Sequence, residues 1–77
     1  MTFEELRVLM ADVFECDPAQ ITPDATPNTV VAWDSLRLLD LLLAIEQEAN
    51  VEISPERIEE MMSVPAILAI VNEAKAA

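Results

Sequence analysis

Residues 32–45, Ala32-Trp33-Asp34-Ser35-Leu36-Arg37-Leu38-Leu39-Asp40-Leu41-Leu42-Leu43-Ala44-Ile45, settle the architecture of this chain. An aspartate–serine pair closes a proline-bearing connection and opens a leucine-rich helix expected from about Asp34 to Glu48, with Asp34 as its N-cap. Leu38, Leu41, Leu42, Ile45 and Ala49 fall on one stripe and form the expected core face. Leu36, Leu39 and Leu43 form a second stripe, and Arg37, Asp40, Ala44, Gln47 and Glu48 fill the remaining arc. A small domain has little room to bury two apolar stripes of one helix. Leu36 and Leu43 are therefore expected to stay partly exposed and to meet a partner. Ser35 lies where backbone N–H groups have no partner and the helix dipole is positive, a setting that favours an attached phosphate. The chain has no histidine, so no imidazole can activate that hydroxyl. Ser35 reads as a point of attachment rather than as a nucleophile that turns over.

Upstream, Thr2 and Glu5 have capping-box spacing and start a first helix that should fade near Cys16, before Asp17-Pro18. Phe3, Leu6, Leu9, Met10, Val13 and Phe14 share one face of it, opposite Glu4, Glu5, Asp12 and Glu15. Residues 17–33 form a long connection broken by Pro18, Pro23 and Pro27. Ile21, Val30 and Val31 are its expected apolar pins, and Trp33 reads as a loop anchor. Loops of this length are often functional. Downstream, Ser54 caps a short third helix with Pro55 in its first turn, and Ile58, Met61 and Met62 are expected to reach the core. Ser63 caps a fourth helix, whose apolar face is Val64, Ile67, Leu68 and Val71 and whose last turn holds Lys75. The expectation is an all-α, small four-helix bundle with a long loop between helices 1 and 2 and a short third helix, residues 1–77 forming a single domain.

Composition narrows the function. The chain has 77 residues, a net charge of −11 and only four basic residues. Such a surface repels nucleic acid and anionic lipid and attracts proteins with basic docking patches. There is no glycine, so phosphate-cradling glycine loops are excluded. Cys16 is the single cysteine, so no disulfide forms within the chain, and without histidine it makes a poor catalytic thiol. No calcium-loop spacing occurs among the acids. Glu59 and Glu60, adjacent on a helix, do not share a face for acid–base work. No run of apolar residues reaches membrane-spanning length, and no basic-then-apolar signal opens the chain. A cytoplasmic monomer with no catalytic residues and no resident metal is the expectation.

Asp34-Ser35-Leu36 resembles the attachment motif of the acyl carrier protein family, small four-helix carriers of a 4′-phosphopantetheine arm. The likeness runs on through Leu38–Ile45, through Glu46-Gln47-Glu48, which is similar to the family's acidic helix end, and through Val51-Glu52-Ile53-Ser54-Pro55, which is similar to its linker into the third helix. Ser63-Val64 with Ile67, Leu68 and Val71 is similar to its last helix. The resemblance implies that Ser35 accepts the arm from coenzyme A through a phosphopantetheinyl transferase. It implies that Asp34 helps place Mg²⁺ in that complex, and that the arm's thiol holds acyl groups as thioesters. It also maps Leu36, Arg37, Leu39, Asp40, Leu43, Gln47 and Glu48 onto the face that meets acyl-loading and acyl-processing enzymes. Ala32-Trp33 stands where family members often have glycine and a small residue, and Arg37 where fatty-acid carriers often have an acid. Both departures point to a specialised acyl or polyketide-type pathway. An aminoacyl (peptidyl or D-alanyl) carrier would share the arm. An unmodified helical adaptor that binds through Leu36 and Leu43 would not need Ser35.

Overall fold

The computed structural model describes residues 1–76; Ala77, the end of the expected domain, lies outside them. The described residues fold as helices joined by loops, with no strand among them. Helix α1 (Phe3–Phe14) begins at the expected capping box. The Thr2 N–H donates to Glu5 Oε1 at 2.9 Å, and the Glu5 N–H donates to Thr2 Oγ1 at 3.3 Å. A 3-10 turn (Pro18–Gln20) follows, and then helix α2 (Ser35–Ala49). The short third helix, Pro55–Glu60, takes the tighter 3-10 form, with Ser54 accepting from the Glu56 N–H at 3.4 Å. The last helix, α3 (Val64–Ala76), starts where Ser63 Oγ accepts from the Ala66 N–H at 3.2 Å.

With no glycine to end the helices, other residues take the left-handed backbone at their C-termini. Glu15 sits at φ 53° and Asn50 at φ 55°. At the end of α1, the Cys16 N–H reaches back to the Ala11 carbonyl at 3.0 Å and the Glu15 N–H to that of Asp12 at 3.3 Å. Two carbonyls that the helix itself leaves unpaired are thereby satisfied. Asparagine tolerates this conformation better than glutamate does.

Leu6, Met10 and Phe14 of α1, Leu38, Leu41, Leu42 and Ile45 of α2, and Val64, Ile67, Ile70 and Val71 of α3 form one core. Phe3, Leu9 and Val13 pack against its edge. The loop joins it through Ile21, Ala25, Val30 and Trp33. Val31 does not: it is 98% exposed while its neighbour Val30 is buried. The Val30 carbonyl accepts from the Trp33 N–H at 3.0 Å, and the turn so formed turns Val31 outwards. Met62 is likewise corrected, at 45% exposed, because the chain leaves the 3-10 helix at Met61 and only that side chain turns inwards. Ile70, which lay outside the expected face of the last helix, is buried.

Four side chains make contacts the sequence did not announce and hold the loops. The Arg7 guanidinium donates to the Ile21 carbonyl at 2.9 Å and lies 4.6 Å from the centre of the Phe3 ring. Glu46 accepts from the Ile53 N–H at 3.0 Å, fastening the linker to the end of α2. Arg57 joins Glu60 at 2.7 Å and Glu73 at 3.4 Å, tying the 3-10 helix to α3. The Trp33 indole donates to the Met61 carbonyl at 3.1 Å.

Candidate functional site

Ser35 is the first residue of α2, and it is exposed. Asp34 precedes it in extended backbone (φ −121°, ψ 175°) and caps the helix as expected, accepting from the Arg37 N–H at 2.8 Å. Capping by Asp34 leaves the hydroxyl of Ser35 out of the cap. Among the described residues, the Ser35 hydroxyl and the N–H groups of Ser35 and Leu36 have no hydrogen-bond partner. The site is thus an accessible hydroxyl beside two free donors at the positive end of a 15-residue helix. Arg37 adds a guanidinium 3.6 Å from the Asp34 carboxylate, which partly offsets its charge.

The position of Ser35 is held from behind. Trp33, two residues upstream, is buried, packs on Phe14 with ring centres 5.8 Å apart, and is hydrogen-bonded to Met61. The sequence identified Trp33 as an anchor but not its partners, which lie on α1 and at the end of the 3-10 helix.

The remaining candidate residues share one side of α2. Leu36, Leu39, Asp40, Leu43 and Gln47 are all exposed and recur every three or four residues. Leu36 is 72% and Leu43 51% exposed, as the two-stripe argument expected. Glu48 is exposed and Arg37 half-buried, and both lie at the flank, about 100–120° round the helix from Leu36. All three arginines are engaged by acids of this chain: Arg7 by Glu4, Arg37 by Asp34, and Arg57 by Glu60 and Glu73. The exposed acids of α2 therefore face solvent largely uncompensated.

A second feature had no signal in the sequence. An open cleft of about 680 Å³ lies between the C-terminal end of α1 and residues 29–32, with Asp34 and Arg37 in its lining. Cys16 borders it, and burial, with Asp17 adding its charge, pushes that thiol above its ordinary pKa. The thiol is therefore protonated near neutral pH and reacts slowly.

Residues 4–71 match the family described as "Phosphopantetheine attachment site". An acyl carrier protein of Helicobacter pylori is 31% identical over 75 residues, which cover 97% of this chain and 96% of that protein. One from Thermosynechococcus vestitus is 32% identical over 74 residues, 96% of this chain and 91% of the relative. A chain of the solved structure described as "The ishigamide ketosynthase/chain length factor" shares the fold. Its TM-score is 0.78 at 24% identity, across 97% of this chain and 94% of that one. The group these matches imply is 4′-phosphopantetheine, held covalently. The site fits it: a phosphodiester needs an accessible hydroxyl, free N–H donors and a positive helix end, and Ser35 supplies all three. When attached, the group supplies the thiol; the protein's own residues anchor and present it, and the protein is a carrier, not a catalyst. The full-length likeness to curated relatives and the fit at the start of α2 agree: this chain belongs to the acyl carrier protein family.

Proposed function

We propose that Ser35 carries the 4′-phosphopantetheine arm, and that the protein holds acyl intermediates on it as thioesters in a specialised acyl or polyketide-type pathway. The observation that carries this reading is the Ser35 hydroxyl, exposed and unbonded at the start of α2. In the attachment step the oxygen of Ser35 attacks the pantetheine-bearing phosphorus of coenzyme A. The new P–O bond forms as the pyrophosphate bond breaks, adenosine 3′,5′-bisphosphate leaves, and the hydroxyl proton passes to the transferase. Asp34, whose second carboxylate oxygen faces Arg37 and solvent, supplies a carboxylate for Mg²⁺ in that complex.

Leu36, Leu39, Asp40, Leu43, Gln47 and Glu48 form the docking face, with Arg37 at its edge. Exposed leucines flanked by acids give fast, weak and reversible association with basic patches on loading and processing enzymes. Support for a specialised pathway comes from Trp33 in place of a small residue, from Arg37, and from the ketosynthase description of the structural neighbour. The chain acts as a single monomeric unit in the cytoplasm; no helix among the described residues is long and apolar enough to cross a membrane.

The test is incubation with coenzyme A, Mg²⁺ and a broad-specificity phosphopantetheinyl transferase, read by intact mass and peptide mapping. One phosphopantetheine on Ser35, and none on Ser35→Ala, is the expected result. An unchanged mass, while a known carrier is modified in parallel, refutes the assignment.

A further inference from the structure

The cleft beside α1 adjoins the docking face only at Arg37 and includes none of its leucines. It runs from the N-terminus of α2, where Asp34 and Arg37 line it, to the end of α1, where Phe14 and Cys16 line it. Residues 30–32 form the wall between. Resting on the assignment of the arm to Ser35, we propose that this cleft is the resting groove of the arm itself. The pantetheine segment lies against residues 30–32 and the end of α1, and leaves the exposed face of α2 free.

Three observations carry this. The first is the tether. The residue before Ser35 and the residue two after it both line the cleft, so the anchor stands at its mouth. A tethered ligand experiences an effective concentration in the millimolar range, so even weak contacts populate the groove.

The second is chemical match. A pantetheine segment alternates a dimethyl-bearing carbon, a hydroxyl, two amides and short methylene stretches. The lining mixes the same characters: Phe14, Val30 and Ala32 are apolar, while Glu15, Gln20, Thr29, Asp34 and Arg37 bring polar or charged side chains. The N–H groups of Val31 and Ala32 have no acceptor among the described residues, and the amide carbonyls of the arm provide one. A plain hydrocarbon tail in the same place would strip water from these polar groups and return nothing. Arg37 is the only cation in the lining, at the end where the phosphodiester stands. At about 680 Å³ the cleft is also within the range of small-molecule sites.

The third is Val31. The turn that buries Val30 and Trp33 leaves this apolar side chain 98% exposed at the rim of the cleft, where the dimethyl-bearing carbon of a passing arm can cover it.

The arrangement separates two tasks. A partner can dock on Leu36, Leu39 and Leu43 while the arm is still parked along the flank where Arg37 stands, and docking does not have to displace it first.

The experiment compares labelled apo protein with protein loaded from acetyl coenzyme A, so that Cys16 remains the only free thiol. Mass analysis first establishes the load on Ser35. Amide shifts should then concentrate at Cys16, Gln20 and residues 30–32. Magnetisation-transfer contacts should join the arm's two methyls to the methyls of Val30 and Val31. Alkylation of Cys16 should slow by about threefold, as expected for a groove occupied some two-thirds of the time. Val31→Asp, at a residue with no packing to lose, should restore the apo rate with Ser35 still loaded. Loaded protein whose shifts lie along Leu39 and Leu43, or whose Cys16 reacts at the apo rate, overturns the groove and leaves the assignment of Ser35 standing. A Ser35 that takes no load overturns both.

Discussion

The indole N–H of Trp33 donates to the main-chain carbonyl of Met61 at 3.1 Å, a buried hydrogen bond across 28 residues. It ties the segment that ends at Ser35 to the end of the 3-10 helix, and the Phe14 ring backs it from α1. Trp33→Phe keeps most of the ring contact but leaves the Met61 carbonyl unpaired in the core. The expected cost is about 2 kcal/mol, a fall of several degrees or more in Tm for a domain this small. Trp33 is the only tryptophan, so its emission reports unfolding directly in the wild type, and circular dichroism serves for the variant. A Tm within a degree of wild type would mean the bond contributes nothing in solution.

Asp34 has two separable roles. Asp34→Ala removes the cap from α2 and should cost about 1 kcal/mol, whereas Asp34→Asn keeps the capping oxygen and should stay within a few tenths of wild type. Both should slow loading of Ser35, because neither side chain supplies a carboxylate for Mg²⁺. Equal loading rates in wild type and Asp34→Asn would remove the carboxylate from the transferase complex.

The two stripes of α2 should respond in opposite ways. Leu43→Glu alters an exposed position and should change stability by no more than about 0.5 kcal/mol, while raising the KM of partner enzymes by about tenfold. Leu42→Ala, one residue away but buried, should cost about 2–5 kcal/mol. Loss of helicity in Leu43→Glu would show that Leu43 is a core residue.

Glu15 holds a left-handed conformation at φ 53° that glycine adopts without steric cost. Glu15→Gly should therefore raise stability by about 0.5–1 kcal/mol, read as an increase in the urea midpoint. Asn50→Gly should do less, since asparagine already tolerates this region.

Hydrogen bonds from Thr2, the main-chain N–H foremost, hold Glu5 below the ordinary carboxylate pKa. The unfolded chain then binds more protons than the folded one between the two values. The stabilisation is complete above the ordinary value and is lost as pH falls through the depressed one. Glu5→Gln should flatten that part of the acid limb when urea midpoints are followed from about pH 6 to about pH 3. An unchanged limb would mean that the capping box is not charge-assisted.

Much of the fold could be read along the chain because its signals are local. Thr2, Asp34, Ser54 and Ser63 each cap the helix they were expected to cap. Leu38, Leu41, Leu42 and Ile45 are buried and Leu36, Leu39 and Leu43 exposed, because helical periodicity assigns every residue of α2 a direction. The 17–33 connection has no period, so nothing distinguished Val30 from Val31, and the turn closed by Trp33 separated them. Met61 and Met62 divided for the same reason, at the end of a 3-10 helix. The cleft was invisible for a related reason: its lining falls within residues 14–37, and the path of the aperiodic loop between the end of α1 and the start of α2 carries no periodic signal.

Taken alone, the amino-acid order determined the helices, their starts, the presentation of Ser35 and the acidic leucine face, since each depends on residues within about a turn of one another. Tertiary packing decided what the order leaves open: which loop side chains turn inwards, which carbonyl accepts from Trp33, and where a groove remains beside the anchor. These depend on which distant surfaces meet, and no short-range periodicity encodes that.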